Sequence, residues 1–224
     1  MNVKKKVDKI NNLGELIMNK GILVVLEGID GCGKSLLAQN LEQELKKQNI
    51  PVVLTKQPGG SQLGINLRKI LQENKNTVCP IAEYLLFAAD RAQHIKDVII
   101  PELQKNKIII SDRMADSSLA YQGYGRGLDI EKINLINNWA MQNINPDIIF
   151  YIKIDINTAR ERILKRHEEL TSFEKEKEIF WQKVITGYET IFANKKNVIT
   201  LDGTLSPEKL TQVALEKIYL RFEK

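Results

Sequence analysis

Apolar positions along the chain fall into two alternating rhythms. Short unbroken runs, Ile22-Leu23-Val24-Val25-Leu26 the clearest, read as strands buried on both faces. Between them lie longer stretches in which apolar residues recur every three or four positions, as Leu37, Leu41 and Leu45 do beside Leu36. That is the spacing of one helix face. The strand-like runs span 22–27, 51–55, 107–111, 148–154 and 197–201. Helical patterns span 33–48, 61–74, 80–104, 115–122, 130–142, 157–168, 174–193 and 206–222, with Pro101 near the end of its helix. Strands alternating with helices predict an α/β fold, a doubly wound five-stranded parallel sheet flanked by helices. Ligands then belong beyond the carboxyl ends of the strands.

The junction of the first strand and first helix carries chemistry. Gly28, Ile29, Asp30, Gly31, Cys32, Gly33, Lys34 and Ser35 have the spacing of a phosphate loop, four residues separating the first glycine from Gly-Lys-Ser. Glycines admit left-handed backbone angles and let N–H groups close on an anion, helped by the positive end of the next helix. Lys34 is long enough to reach outer phosphates, and the Ser35 hydroxyl suits Mg²⁺. Cys32 reads as a small tolerated residue rather than a redox group.

Length and charge narrow the picture without changing it. At 224 residues, residues 21–224 form one domain. The net charge of +5 suits a binder of anionic metabolites, and no basic cluster interleaved with aromatics points to nucleic acid. Two cysteines, Cys32 and Cys79, give no disulfide framework and fit a reducing cytoplasm. No apolar run approaches the ~20 residues that span a bilayer. Residues 1–20 stand apart: Val3, Val7, Ile10, Leu13, Leu16 and Ile17 mark one face of a helix among lysines. They read as a helical or mobile extension, not as a leader.

A phosphate loop leaves kinases, GTPases and motor-type ATPases open. The run Ile108-Ile109-Ile110-Ser111 ends in Asp112-Arg113. This puts a carboxylate near the expected Mg²⁺ and a guanidinium fork, suited to a phosphate, beside it. GTPases need base-reading motifs, and no Asn-Lys-x-Asp occurs. Phe87 and Arg91 lie four apart on one helix face, a ring and a fork able to grip a planar base.

These segments, with "TKQPGG" (55–60), "FAADR" (87–91), "SDRMADSSLAYQGYGRG" (111–127), "PDIIFYI" (146–152) and "FWQKVITGYETIF" (180–192), resemble the bacterial thymidylate kinases from about residue 20 to the end. The block 111–127 is the most specific, since phosphate-loop proteins in general do not share it. The resemblance implies a phosphate-loop NTPase-type fold and Mg²⁺-dependent transfer of a phosphoryl group from ATP to dTMP, in dTTP synthesis, by a cytoplasmic homodimer. The alternatives are a kinase of another (deoxy)nucleoside monophosphate or a phosphate-loop regulatory ATPase.

Carried onto matching residues, the resemblance has Asp30 hold the sugar 3′-hydroxyl and Phe87 stack on thymine. Arg91 donates to the base's carbonyl edge, and Ser117, Ser118 and Gln122 complete the pocket. Tyr121 crowds the 2′ position. Arg113 and Arg68 clamp the acceptor phosphate beside Pro58, and Asp112 supports the metal with Ser35. The loop residues and Arg162 serve ATP.

Three departures stand out. "TKQPGG" has Lys56 and Gln57 where Arg and Glu are usual, losing a bidentate fork. Met114 replaces an aromatic that would stack. Gly31 occupies the place of a loop arginine found in some relatives. Those without it are expected to use an arginine of a lid, here near 165–178, yet Ser172 stands at that position. Arg166, at the lid's entrance, is the expected substitute, ahead of Arg162 and Lys175. The charged run 165–178 also reads as a solvated helical face, with His167 on its surface.

Overall fold

The computed structural model describes residues 20–72 and 78–222. The expected extension at 1–19 and the tail of the helix expected over 61–74 lie outside the described residues. The sheet has five strands, β1 (Ile22–Glu27), β2 (Val52–Lys56), β3 (Ile108–Asp112), β4 (Ile148–Lys153) and β5 (Val198–Asp202). Their order is β2-β3-β1-β4-β5, and every pairing is parallel. Each strand lies within one residue of its expected bounds, because two-sided burial leaves unbroken apolar runs. All six residues of β1 are buried, while the edge strands β2 and β5 are only partly covered.

Helix α1 (Lys34–Lys47) buries Leu37, Ala38, Leu41 and Leu45. Full burial of such leucines contributes about 1.5–3 kcal/mol each. Next come α2 (Gln62–Gln72) and α3 (Pro80–His94), which passes through a π-helical turn (Ile95–Ile99) into a last α-turn (Ile100–Gln104). The wider turn precedes Pro101, whose ring would crowd the carbonyl four residues back in a regular helix. Helix α4 (Ala115–Ser118) also widens into a π-helical stretch (Leu119–Gly125), a feature common at functional sites. The remaining helices are α5 (Ile130–Met141), α6 (Ile156–Leu164), α7 (Glu178–Phe192) and α8 (Pro207–Phe222). Asp129 and Asp155 cap α5 and α6 by accepting from backbone N–H groups of the first turn.

The segment 165–177 corrects the sequence reading. Helices expected over 157–168 and 174–193 stop at Leu164 and start at Glu178, and turns lie between them. The charged run lacks an apolar stripe to dock as a helix. Instead Arg166 pairs with Glu174, Thr171 N–H donates to Glu174 Oε2, and the Ser172 hydroxyl donates to Leu71 O. His167 takes a left-handed φ of 54° and is exposed, as expected of a surface residue. Among the described residues no helix is long and apolar enough to cross a membrane.

Candidate active site

A cleft of about 840 Å³ opens beyond the carboxyl ends of β1, β2 and β3. The phosphate loop forms one end. Gly31 sits at φ +80°, and a Cβ there would meet Ala159 O of α6 at 2.4 Å. Any side chain at this position, arginine included, would require α6 to move. Lys34 is buried, its ammonium donating to Gly28 O at 3.0 Å and Ile29 O at 2.8 Å. Asp30, Gly31, Gly33, Lys34 and Ser35 line the cleft. Ile29 and Cys32 do not, since their side chains are 2 % and 0 % exposed in the core. Gly28 is also absent from the lining, and its carbonyl anchors Lys34 and Arg113.

The Ser35 hydroxyl donates to Asp112 Oδ2 at 2.6 Å. A hydroxyl and a carboxylate side by side at the loop are the hard oxygen donors that Mg²⁺ prefers, so this pair fits the ion the fold implies.

Arg113 follows β3 with φ +70°, an uncommon conformation for a residue bearing a Cβ. Its Nη1 donates to Gly28 O, Ser117 Oγ and Tyr188 OH at 2.8–3.1 Å. Its Nη2 donates to Asp30 Oδ1 at 2.6 Å and Tyr121 OH at 3.0 Å. Burial alone would raise the Asp30 pKa, but Arg113 and then Lys34 outweigh it and hold the carboxyl below its usual range. Behind this group Glu27, fully buried, accepts from Ser117 Oγ, Tyr188 OH and Met114 N–H. Burial, then Asp116, push its pKa up. Met114 is buried and fills space, as a methionine can.

The turn after β2 forms a side wall. Gly59 N–H donates to Asp90 Oδ1, and Arg68 Nη1 donates to Pro58 O at 3.0 Å. Gln57 and Thr55 both contact His94, at Nδ1 (2.9 Å) and Nε2 (2.7 Å). The far end of the cleft is aromatic and polar. Arg91 is 2 % exposed and donates to Asn137 Oδ1 at 2.7 Å and Ser118 Oγ at 2.8 Å. Phe87, Tyr121 and Gln122 complete this wall.

Arg162 and Arg166 reach the cleft from the end of α6 and the turn after it, and Arg162 Nη1 also donates to Gly203 O. Lys175 is exposed and does not line the cleft, and Ser172 turns to the end of α2.

Several residues here escaped the sequence reading. Phe173 faces Tyr121 edge-on at 5.5 Å and lies 6.1 Å from Phe87. Its signal was a lone ring in a polar run. Glu27, Glu83, His94, Arg126, Asn137 and Tyr188 act through partners far away in the chain, so local pattern gave none of them a role.

Against known proteins, the family model for thymidylate kinase matches residues 26–213. The thymidylate kinase of Halothermothrix orenii is 37 % identical over 201 residues, 89 % of this chain and 97 % of that protein. That of Fervidobacterium nodosum is 39 % identical over 84 % of this chain and 94 % of its own. The chain belongs to the thymidylate kinase family. As a member of it, the protein is a nucleoside monophosphate kinase, an enzyme that binds and transfers from nucleotides. The regulatory ATPase, open from the loop alone, gives way to thymidylate kinase membership across nearly the whole chain. A third thymidylate kinase, from Thermoanaerobacter sp. X514, is 40 % identical over 82 % of this chain and 90 % of its own.

Proposed function

We propose that the protein transfers the γ-phosphoryl group of ATP to dTMP, giving dTDP and ADP. One observation supports this most: the phosphate loop, the Arg113 cluster and the Phe87–Arg91 wall share one cleft, so a donor phosphate and an acceptor nucleotide meet head to head. The attacking atom is an oxygen of the dTMP phosphate, already largely deprotonated at pH 7, so no side-chain base is needed. The new P–O bond forms as the bond from the γ-phosphorus to ADP breaks. The protein's work is alignment and neutralisation of spread charge.

The loop amides and Lys34 hold the donor phosphates. Ser35 and Asp112 hold Mg²⁺, whose charge when bound offsets that of the phosphates. Arg113 and Arg68 receive the acceptor phosphate beside Pro58, Asp30 takes the sugar 3′-hydroxyl, and Tyr121 and Ser117 wall the sugar. Phe87 stacks on the base, with Arg91, Ser118 and Gln122 along its edge. Residues 165–178 serve as a lid, and Arg166 provides the cation that Gly31 and Ser172 do not.

A homodimer fits the surface. Leu63 and Ile70 of α2, Ile81 and Leu85 of α3, and Leu135 and Trp139 of α5 are exposed on three adjacent helices at helical spacing. The setting is the cytoplasm, in keeping with two free cysteines.

The test is a coupled ADP-release assay with dTMP, dUMP, dCMP, dGMP and thymidine. dTMP should be the best acceptor, and Lys34→Ala should lose on the order of 10²–10³ in turnover, the size of one lost transition-state donor. A preference for another acceptor, or a near-normal rate for Lys34→Ala, would overturn the reading.

A further inference from the structure

Behind the base end of the cleft sits a buried acid without a role in the reaction. Glu83 of α3 is 8 % exposed, and both of its oxygens are engaged. Oε1 accepts from Gln122 Nε2 at 2.9 Å and from Arg126 Nε at 3.3 Å, and Oε2 accepts from Arg126 Nη2 at 3.2 Å. Arg126 is itself fixed by Glu176 and by lying over the rings of Phe173 and Phe180, at 5.4 and 4.8 Å.

A carboxylate held by a guanidinium accepts hydrogen bonds and cannot donate. Gln122 must therefore turn its amide nitrogen to Glu83. Its carbonyl oxygen is left with no protein partner among the described residues, on a side chain that lines the cleft. The pocket's other edge is the reverse. Arg91 has only donors, and its buried Nε–H is unpartnered.

We propose that Glu83 is a positioning residue for base selection, fixing the Gln122 amide so that it offers a carbonyl oxygen to a pyrimidine N3–H. This rests on the reading of the cleft as a dTMP site and deepens it. Thymine and uracil carry a donor at N3 flanked by carbonyl acceptors. Cytosine carries a bare lone pair at N3 and an amino group at C4. Against Gln122 Oε1 and Arg91, cytosine would set acceptor against acceptor and donor against donor, and unpaired buried polar groups are what such a site rejects.

The test is Glu83→Gln, which keeps the shape but can accept or donate, freeing the Gln122 amide to take either orientation. The ratio of kcat/KM for dTMP over dCMP should fall about tenfold or more, the scale of one buried mismatched group. The ratio for dTMP over dUMP should stay within about twofold, because the two bases share N3–H. A merely structural role would depress all three substrates together and leave both ratios intact, which overturns the proposal. A measurement on the unaltered enzyme stands even if the variant does not fold. N3-methyl dTMP, which lacks the donor, should lose about tenfold or more in kcat/KM against dTMP, and equal turnover overturns the proposal. Failure of the unaltered enzyme to phosphorylate dTMP would instead remove the underlying reading.

Discussion

Acidification is expected to unseat the cleft wall formed by the turn after β2, through His94. This residue closes α3 with no exposed surface, its two ring nitrogens taken by Thr55 and Gln57. Burial, and next the nearby Arg91 charge, lower its pKa to about 4, against a weaker opposing pull from Asp97. An unfolded histidine titrates near 6.5. Above pH 6.5 both states are neutral at this site and its stability contribution is full. Between 6.5 and about 4 only the unfolded chain takes the proton, so stability falls as pH falls. The displacement corresponds to about 3 kcal/mol by pH 4, a large share of a typical domain's stability. The assay is urea unfolding at pH 7.5, 6, 5 and 4.5 for the natural protein and for His94→Gln, which retains hydrogen-bonding groups but cannot titrate. Carboxyl groups such as Glu27 and Asp90, whose raised pKa values act in the opposite direction, are common to both proteins and drop out of the difference. The natural protein should lose about 2–3 kcal/mol more than the variant across this range. Parallel pH profiles would refute the reasoning.

Arg166→Ala should slow the chemical step by about 10²–10³ at saturating substrates, while the exposed Lys175→Ala should stay within about threefold. Single-turnover rates decide it, and an unchanged step in Arg166→Ala removes that residue from the transfer. Phe87→Ala should raise KM for dTMP about tenfold with kcat little altered, the scale of one lost base–ring stack. Steady-state kinetics with an unmoved KM would count against stacking there. Trp139, 84 % exposed on the proposed dimer face, should on replacement by Glu convert the protein to monomer. Sedimentation equilibrium showing an undiminished dimer would exclude that face.

How much of this was legible in the chain follows from where each signal lives. The strands were read to within a residue because two-sided burial writes itself as an unbroken apolar run, as in β1 and β3. The phosphate loop was legible because its spacing is local. Residues 165–168 and 174–177 were misread as helix because charge spacing mimics a solvated helical face, while the shape of the segment depends on Phe173 packing against Tyr121 and on Ser172 reaching Leu71. Glu83 and Asn137 look like ordinary polar positions of amphipathic helices. Their meaning comes from Gln122, 39 residues away from Glu83, and from Arg91, 46 residues away from Asn137. A buried polar group declares itself only once its partner arrives from another element.

The close approach of Ala159 O to Gly31 bears on what this loop can be made to carry. Grafting a cation into the loop by Gly31→Arg would drive a Cβ into a helical carbonyl, on a backbone turned the wrong way for a side chain. In this chain a cation can therefore be seated at residue 31 only together with a shift of the Ala159 main chain. The glycine is thus held in place by main-chain geometry, since the loop and α6 approach too closely for any side chain between them.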